Sequence, residues 1–225
     1  MRVPPRASEA SGRGLRNATA ATWLSQIYDA TAWYWDSWVH AVSYGRAYRK
    51  LFEQLRKNGW GEITASRLLD CGIGAGVFSE GFIRALGPPA RAYGVDLSLR
   101  LLRRAAARLG RFGLHPCLLC ADARALPLGD ATMDAVICGL VLDHLGEAST
   151  TFRELARVAR PGAPVVIVTT RPFAPDLPVR LVFRYQRLRP EAVERAMTAV
   201  GLRDVRRHLL TGLARPFGMA FIARA

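Results

Sequence analysis

The sequence predicts an α/β fold: a doubly wound, seven-stranded sheet, mostly parallel with a terminal antiparallel strand. Three observations carry that expectation. From Ser66 onward, short β-rich runs alternate with amphipathic helices, the rhythm of parallel βαβ units. Pro164 to Thr169 is a nearly unbroken Val/Ile block, as suits a strand buried on both faces. Two further β-rich runs, Asp204 to Leu210 and Phe217 to Ala223, read as a closing antiparallel pair. Together they describe a Rossmann-like architecture.

The elements follow in order. The first strand is Arg67 to Asp70. A helix runs from Val77 to Leu86, with Phe78, Phe82 and Ala85 on one face, and Gly87-Pro88-Pro89 stops it. Arg91 to Val95 is the second strand. Ser98 caps a helix that turns Leu102, Ala105, Ala106 and Leu109 inward and its arginines 100, 103, 104, 108 and 111 mostly outward. Cys117 to Ala121 and Ala135 to Leu140 are strands three and four. The helix over Thr150 to Ala159 repeats the pattern with Phe152, Leu155, Ala156 and Ala159, and Arg160-Pro161-Gly162 turns the chain into strand five. Pro172, Pro175 and Pro178 mark a loop, and Glu191 to Val200 is a helix ending at Gly201.

Residues 1–21 are Arg-rich and acid-poor, and read as a flexible tail. Residues 22–60 concentrate aromatics, with four of the five tryptophans before Leu55, and are expected to form a helical cap over the core or a ligand pocket. Residues 61–225 form the main domain. Half of the 225 residues are hydrophobic and 22% are charged, which is globular composition, and no apolar run approaches the length of a membrane span. The net charge is +14, almost all from arginine, since Lys50 and Lys57 are the only lysines. That charge invites an anionic partner, but the arginines are spread without a block, so no dedicated nucleic-acid module is expected. Cys71, Cys117, Cys120 and Cys138 sit in strand-like stretches. Without a second cysteine pair or a nearby histidine pair they read as buried strand cysteines of a reduced, cytoplasmic chain, with no metal site.

The chemistry concentrates in Leu68-Leu69-Asp70-Cys71-Gly72-Ile73-Gly74-Ala75-Gly76, a strand that ends in an acid and a glycine-rich turn opening a helix. Glycines let the backbone approach a ligand closely, and the helix N-terminus adds oriented N–H donors. A dinucleotide fingerprint would place a third glycine where Val77 stands, and Asp70 would repel a pyrophosphate. Two more acids end strands: Asp96, followed by Leu97, and Asp122, followed by Ala123.

With these marks in order, the sequence resembles the class I S-adenosylmethionine-dependent methyltransferases. The resemblance implies S-adenosyl-L-methionine as cofactor and S-adenosyl-L-homocysteine as product. Asp70, Gly72, Gly74 and Gly76 would form the first signature. Asp96 with Leu97 would take the ribose hydroxyls, and Asp122 with Ala123 would lie near the adenine. A looser similarity to the ubiquinone/menaquinone-biosynthesis methyltransferases, through Tyr28-Asp29 and Gly139 to Leu145, implies a small-molecule or lipid-like acceptor. In that reading Tyr28 closes over the cofactor, Trp33, Tyr34, His40 and Asp143 face the substrate, and His144 is the candidate base for a hydroxyl acceptor. Asp143 also reads as a helix N-cap. Trp together with positive charge suits a chain that touches anionic membrane peripherally. The competing readings are a degenerate methyltransferase fold serving as an RNA or membrane adaptor, an RNA methyltransferase, and a nicotinamide-dependent oxidoreductase. Oligomeric state is not readable from the sequence.

Overall fold

The computed structural model describes residues 37–58, 66–145, 148–175 and 186–225. The strands are β1 (Arg67–Cys71), β2 (Arg91–Asp96), β3 (Cys117–Cys120), β4 (Ala135–Gly139), β5 (Pro164–Thr170), β6 (Arg203–Leu209) and β7 (Gly218–Arg224). The longer helices are α1 (Tyr44–Lys57), α2 (Val77–Leu86), α3 (Leu99–Gly110), α4 (Ala148–Val158) and α5 (Pro190–Ala199). One seven-stranded sheet runs in the order β3-β2-β1-β4-β5-β7-β6. The first five strands are parallel and β7 is antiparallel to both its neighbours, so β7 alone runs against the rest. Connections wind outward in both directions from β1. The strand order therefore reverses between β1 and β4, where a crevice opens at the strands' carboxyl ends.

The period-2 alternation of the strands divides the core. Leu68, Ile137, Val166, Val168 and Ile222 face one side, beneath α1, α2 and α3. Leu69, Val136, Cys138, Val165, Ile167 and Phe221 face the other, beneath α4 and α5. Continuous apolar strands are what a sheet covered on both faces requires. The described part of the aromatic segment serves this core: Tyr48 lies 4.4 Å from Phe78 and Phe52 lies 5.2 Å from Phe82, ring centre to ring centre.

Three side-chain expectations are corrected. Ala106 is exposed, and Leu101 is buried against Ala75. α3 packs on the glycine-rich turn as well as on the sheet, which shifts its buried face. Cys117 and Cys120 are exposed because β3 is the sheet's edge strand, and only Cys71 and Cys138 are buried. No described helix is long and apolar enough to cross a membrane.

Candidate active site

In the cleft at the carboxyl ends of β1 to β4, the turns after β1 and β2 lock onto one another. The turn after β1 is fixed to β2: the N–H groups of Gly72 and Ile73 both donate to the Val95 carbonyl, at 2.7 and 3.0 Å. Asp96, at the end of β2, completes the lock. Its Oδ2 accepts from the Gly74 N–H and its Oδ1 from the Ser98 N–H, both at 2.9 Å. Ser98 Oγ in turn accepts from the Leu101 N–H and caps α3. Asp96 thus holds the glycine-rich turn and the start of α3 apart at a set distance, and its carboxylate stands at the cleft wall between them.

Gly72, Gly74, Asp96, Leu97, Asp122, Ala123 and His144 all line this one cleft. The wall also includes Leu140, Val141 and Leu145, from the Gly139 to Leu145 segment of the looser resemblance, and Leu101, which the sequence did not single out. Leu140 holds a left-handed φ of 58°, a strained conformation for a residue with a branched side chain, and its N–H donates to the Val168 carbonyl at 2.7 Å. Asp122 is clasped by Arg124, whose Nη2 is 2.6 Å from Oδ2. Burial works to raise the Asp122 pKa, but the Arg124 hydrogen bonds outweigh it and hold the carboxyl below its ordinary value.

Other expected site residues lie elsewhere. Gly76 caps α2 rather than lining the cleft. Asp143 is buried, and its Oδ2 accepts from the Thr170 N–H and Oγ1 at 2.8 and 3.0 Å, tying the segment after β4 to the end of β5. It neither caps a helix with that oxygen nor lines the cleft. His40 is exposed in a separate groove with Arg46, Lys50 and Glu80. Tyr28, Trp33 and Tyr34 lie outside the described residues.

Asp70 sits below the cleft and is buried. Its Oδ2 accepts from Ser79 Oγ at 2.7 Å and from the Ser79 N–H at 3.1 Å, while Oδ1 meets no hydrogen-bond partner. Burial raises its pKa, with Asp96 adding repulsion and the Ser79 bonds only partly offsetting it, so the carboxyl moves from 3.8 up to about 7. Burial pushes His144 the opposite way, from 6.5 down to about 4.

These two shifts act on stability with opposite signs. Between about pH 4 and 7 the folded protein keeps a proton on Asp70 that the unfolded chain has released, so stability falls as pH rises through that window. Between about pH 6.5 and 4 the unfolded chain protonates His144 while the folded protein does not, so stability falls as pH drops. The effects oppose each other in wild type and separate in variants. Relative to wild type, Asp70→Asn should melt at progressively higher temperature from pH 4 to 7 and hold that gain above it. A gain that is flat across this range would show that Asp70 does not carry the proton.

Residues 69–167 match the family described as Methyltransferase domain. The chain is 32% identical over 128 residues to a demethylmenaquinone methyltransferase of Roseiflexus castenholzii, covering 56% of this chain and 52% of that protein. It is 30% identical over 165 residues to a ubiquinone/menaquinone biosynthesis C-methyltransferase of Desulfotalea psychrophila, covering 72% of this chain and 65% of that protein. The chain thus spans about half to two thirds of these relatives' lengths. Among solved structures, an S-adenosylmethionine-dependent methyltransferase of Thermotoga maritima, described as a possible histamine N-methyltransferase, superposes with a TM-score of 0.66 at 15% identity. That superposition covers 88% of this chain and 98% of that one. A Haemonchus contortus phosphoethanolamine N-methyltransferase solved with S-adenosylhomocysteine gives 0.58 at 18% identity, over 70% of this chain and 48% of that one. The matched segment runs from β1 to β5 and so contains the glycine-rich turn, both cleft acids and the strand order that opens the crevice. From β1 to β5 the chain is similar to the methyltransferase domain, and its fold is that of S-adenosylmethionine-dependent methyltransferases.

Proposed function

We propose that the protein transfers a methyl group from S-adenosylmethionine to a small, lipid-like acceptor. The observation that carries this reading is Asp96, held at the cleft wall by two backbone N–H groups. A carboxylate at the cleft wall is the group suited to accept both hydroxyls of a vicinal diol. The surroundings fit a nucleoside. A Cβ on Gly74 would meet nothing within 4 Å, so bare backbone faces open space there. Leu97, Leu101, Leu140 and Leu145 supply apolar walls for a flat base and keep water out.

When bound, S-adenosylmethionine supplies a methyl group on a sulfonium, which an in-line nucleophile displaces to leave S-adenosylhomocysteine. The chain's own contribution is alignment and dryness, which together supply most of the acceleration such a displacement needs. Asp96 fixes the sugar end, and the turn carrying Gly72 and Gly74 lets the rest lie against backbone. His144 stays a neutral imidazole at physiological pH and can accept a hydrogen bond from an acceptor hydroxyl. With a pKa near 4 it is a weak base, so it orients that hydroxyl more than it removes the proton. His144→Gln is therefore expected to lower kcat by less than about tenfold, where loss of an efficient general base costs 100-fold or more.

Calorimetric titration of cofactor-stripped protein tests the reading. Micromolar binding of S-adenosylhomocysteine with none of NADH is expected. No binding of S-adenosylhomocysteine would remove the enzyme reading and favour an adaptor built on the same fold. The homology to quinone-biosynthesis methyltransferases supports phenols and quinone precursors as the first acceptors to assay.

A further inference from the structure

We propose that the loops following β5 and preceding β7 form a docking surface for an anionic lipid bilayer, through which a lipid-like acceptor reaches the cleft. Phe173 is 93% exposed and Leu213 is 66% exposed, the two most exposed large apolar side chains among the described residues. They lie on two loops, 171–175 and 210–217, that are fastened together. The Arg171 N–H donates to the Phe217 carbonyl at 2.8 Å and the Arg171 guanidinium to the Arg215 carbonyl at 3.0 Å.

The exposure of Phe173 is built rather than incidental. The Arg187 guanidinium donates to the carbonyls of Pro172 and Ala174, the residues on either side, at 2.8 and 2.6 Å. The Ala174 N–H closes the turn onto the Arg171 carbonyl at 3.1 Å. Beneath the second loop, Trp38 packs edge-on against Phe217 at 5.2 Å. A fixed turn that presents a phenyl ring to water gains by burying it elsewhere.

Charge selects the occupant. Arg171 and Arg215 stand in these loops and Arg187 is bonded to the first, and no acid occurs at 171–175, 186–189 or 209–217. Apolar tips among arginines match a negatively charged membrane, where each basic residue at the surface adds attraction. Position supplies the function. β5 is parallel to β4 and Thr170 pairs with Gly218 at the start of β7, so both loops leave the sheet at the end where the cleft opens. Asp143 joins the two regions through Thr170. The proposal rests on the methyl-transfer reading for its purpose, but docking can be measured without it.

Sedimentation of the full chain with vesicles tests the surface. Wild type should partition onto phosphatidylcholine vesicles containing one quarter phosphatidylglycerol at least fivefold more strongly than onto pure phosphatidylcholine. The double variant Phe173→Ser/Leu213→Ser should bind the charged vesicles at least tenfold more weakly, with unchanged affinity for S-adenosylhomocysteine. Arg215→Gln should weaken binding several-fold on charged vesicles only. Wild-type partitioning by the double variant overturns the proposal. So does a concentration-dependent dimer in light scattering that the double variant abolishes without any vesicle binding, which would assign the face to a second copy. If the double variant loses vesicle binding while neither protein binds S-adenosylhomocysteine, docking stands and the methyl-transfer reading falls.

Discussion

Replacing Asp96 with alanine is expected to weaken S-adenosylhomocysteine binding by about 100-fold, or about 3 kcal/mol, the worth of two hydrogen bonds to a charged acceptor. The loss has two sources. The carboxylate positions that face the cleft disappear, and the Gly74 and Ser98 N–H groups lose the acceptor that fixes the two turns relative to each other. Asp96→Asn separates these contributions. An asparagine offers one acceptor oxygen and one donor NH2, so whichever way it turns, one of the two N–H groups faces another donor. The amide should therefore be nearly as damaging as alanine despite its matching shape. Calorimetry on the three proteins checks this, with a melting curve to confirm folding. Affinity within threefold of wild type for either variant would mean that Asp96 shapes the loops but does not hold the ligand.

The parts of this site that could be read in advance are those whose chemistry is local. Asp70, Asp96 and Asp122 announce themselves because each follows an apolar strand, and the glycines between Asp70 and Val77 mark a turn no other residue type enters so readily. What escaped depends on partners distant in the chain. Asp143 looks like a helix cap or a substrate contact beside His144, yet its bonds go to Thr170, and nothing near Asp143 signals that pairing. Leu140 and Val141 continue the apolar run of β4 in sequence, whereas the backbone turns sharply at Leu140 and delivers both residues to the cleft. Cys117 to Cys120 reads as a strand and is one, but periodicity does not reveal which strand becomes an edge. Ala106 is exposed and Leu101 is buried because α3 answers to two surfaces, the sheet and the glycine-rich turn, and a single helical stripe describes only one of them.

The contact between the turn after β1 and the segment after β4 makes Gly72→Ala the most damaging small substitution expected in the cleft. Gly72 has a φ of 70°, where any side chain is strained, and a Cβ there would stand 2.0 Å from Val141 Cγ2. The left-handed conformation costs about 1 kcal/mol for alanine and the overlap a further 1 to 3 kcal/mol, so a loss of about 2 to 4 kcal/mol in stability is expected. Relief by movement is restricted on both sides. Gly72 is fixed to Val95, and Leu140, beside Val141, is fixed to Val168. Whichever segment yields, the cleft changes shape, and cofactor affinity should fall along with stability. Val141→Ala removes the clashing methyl group and restores part of the loss. In a double-mutant cycle the packing share should be recovered, about 1 to 3 kcal/mol, while the conformational cost of about 1 kcal/mol remains. Urea unfolding of wild type, both single variants and the double variant measures that coupling directly. Strict additivity of the two substitutions would mean that the turn and the segment after β4 are not in contact. In that case the cleft between them could not be the site that Asp96 and His144 share.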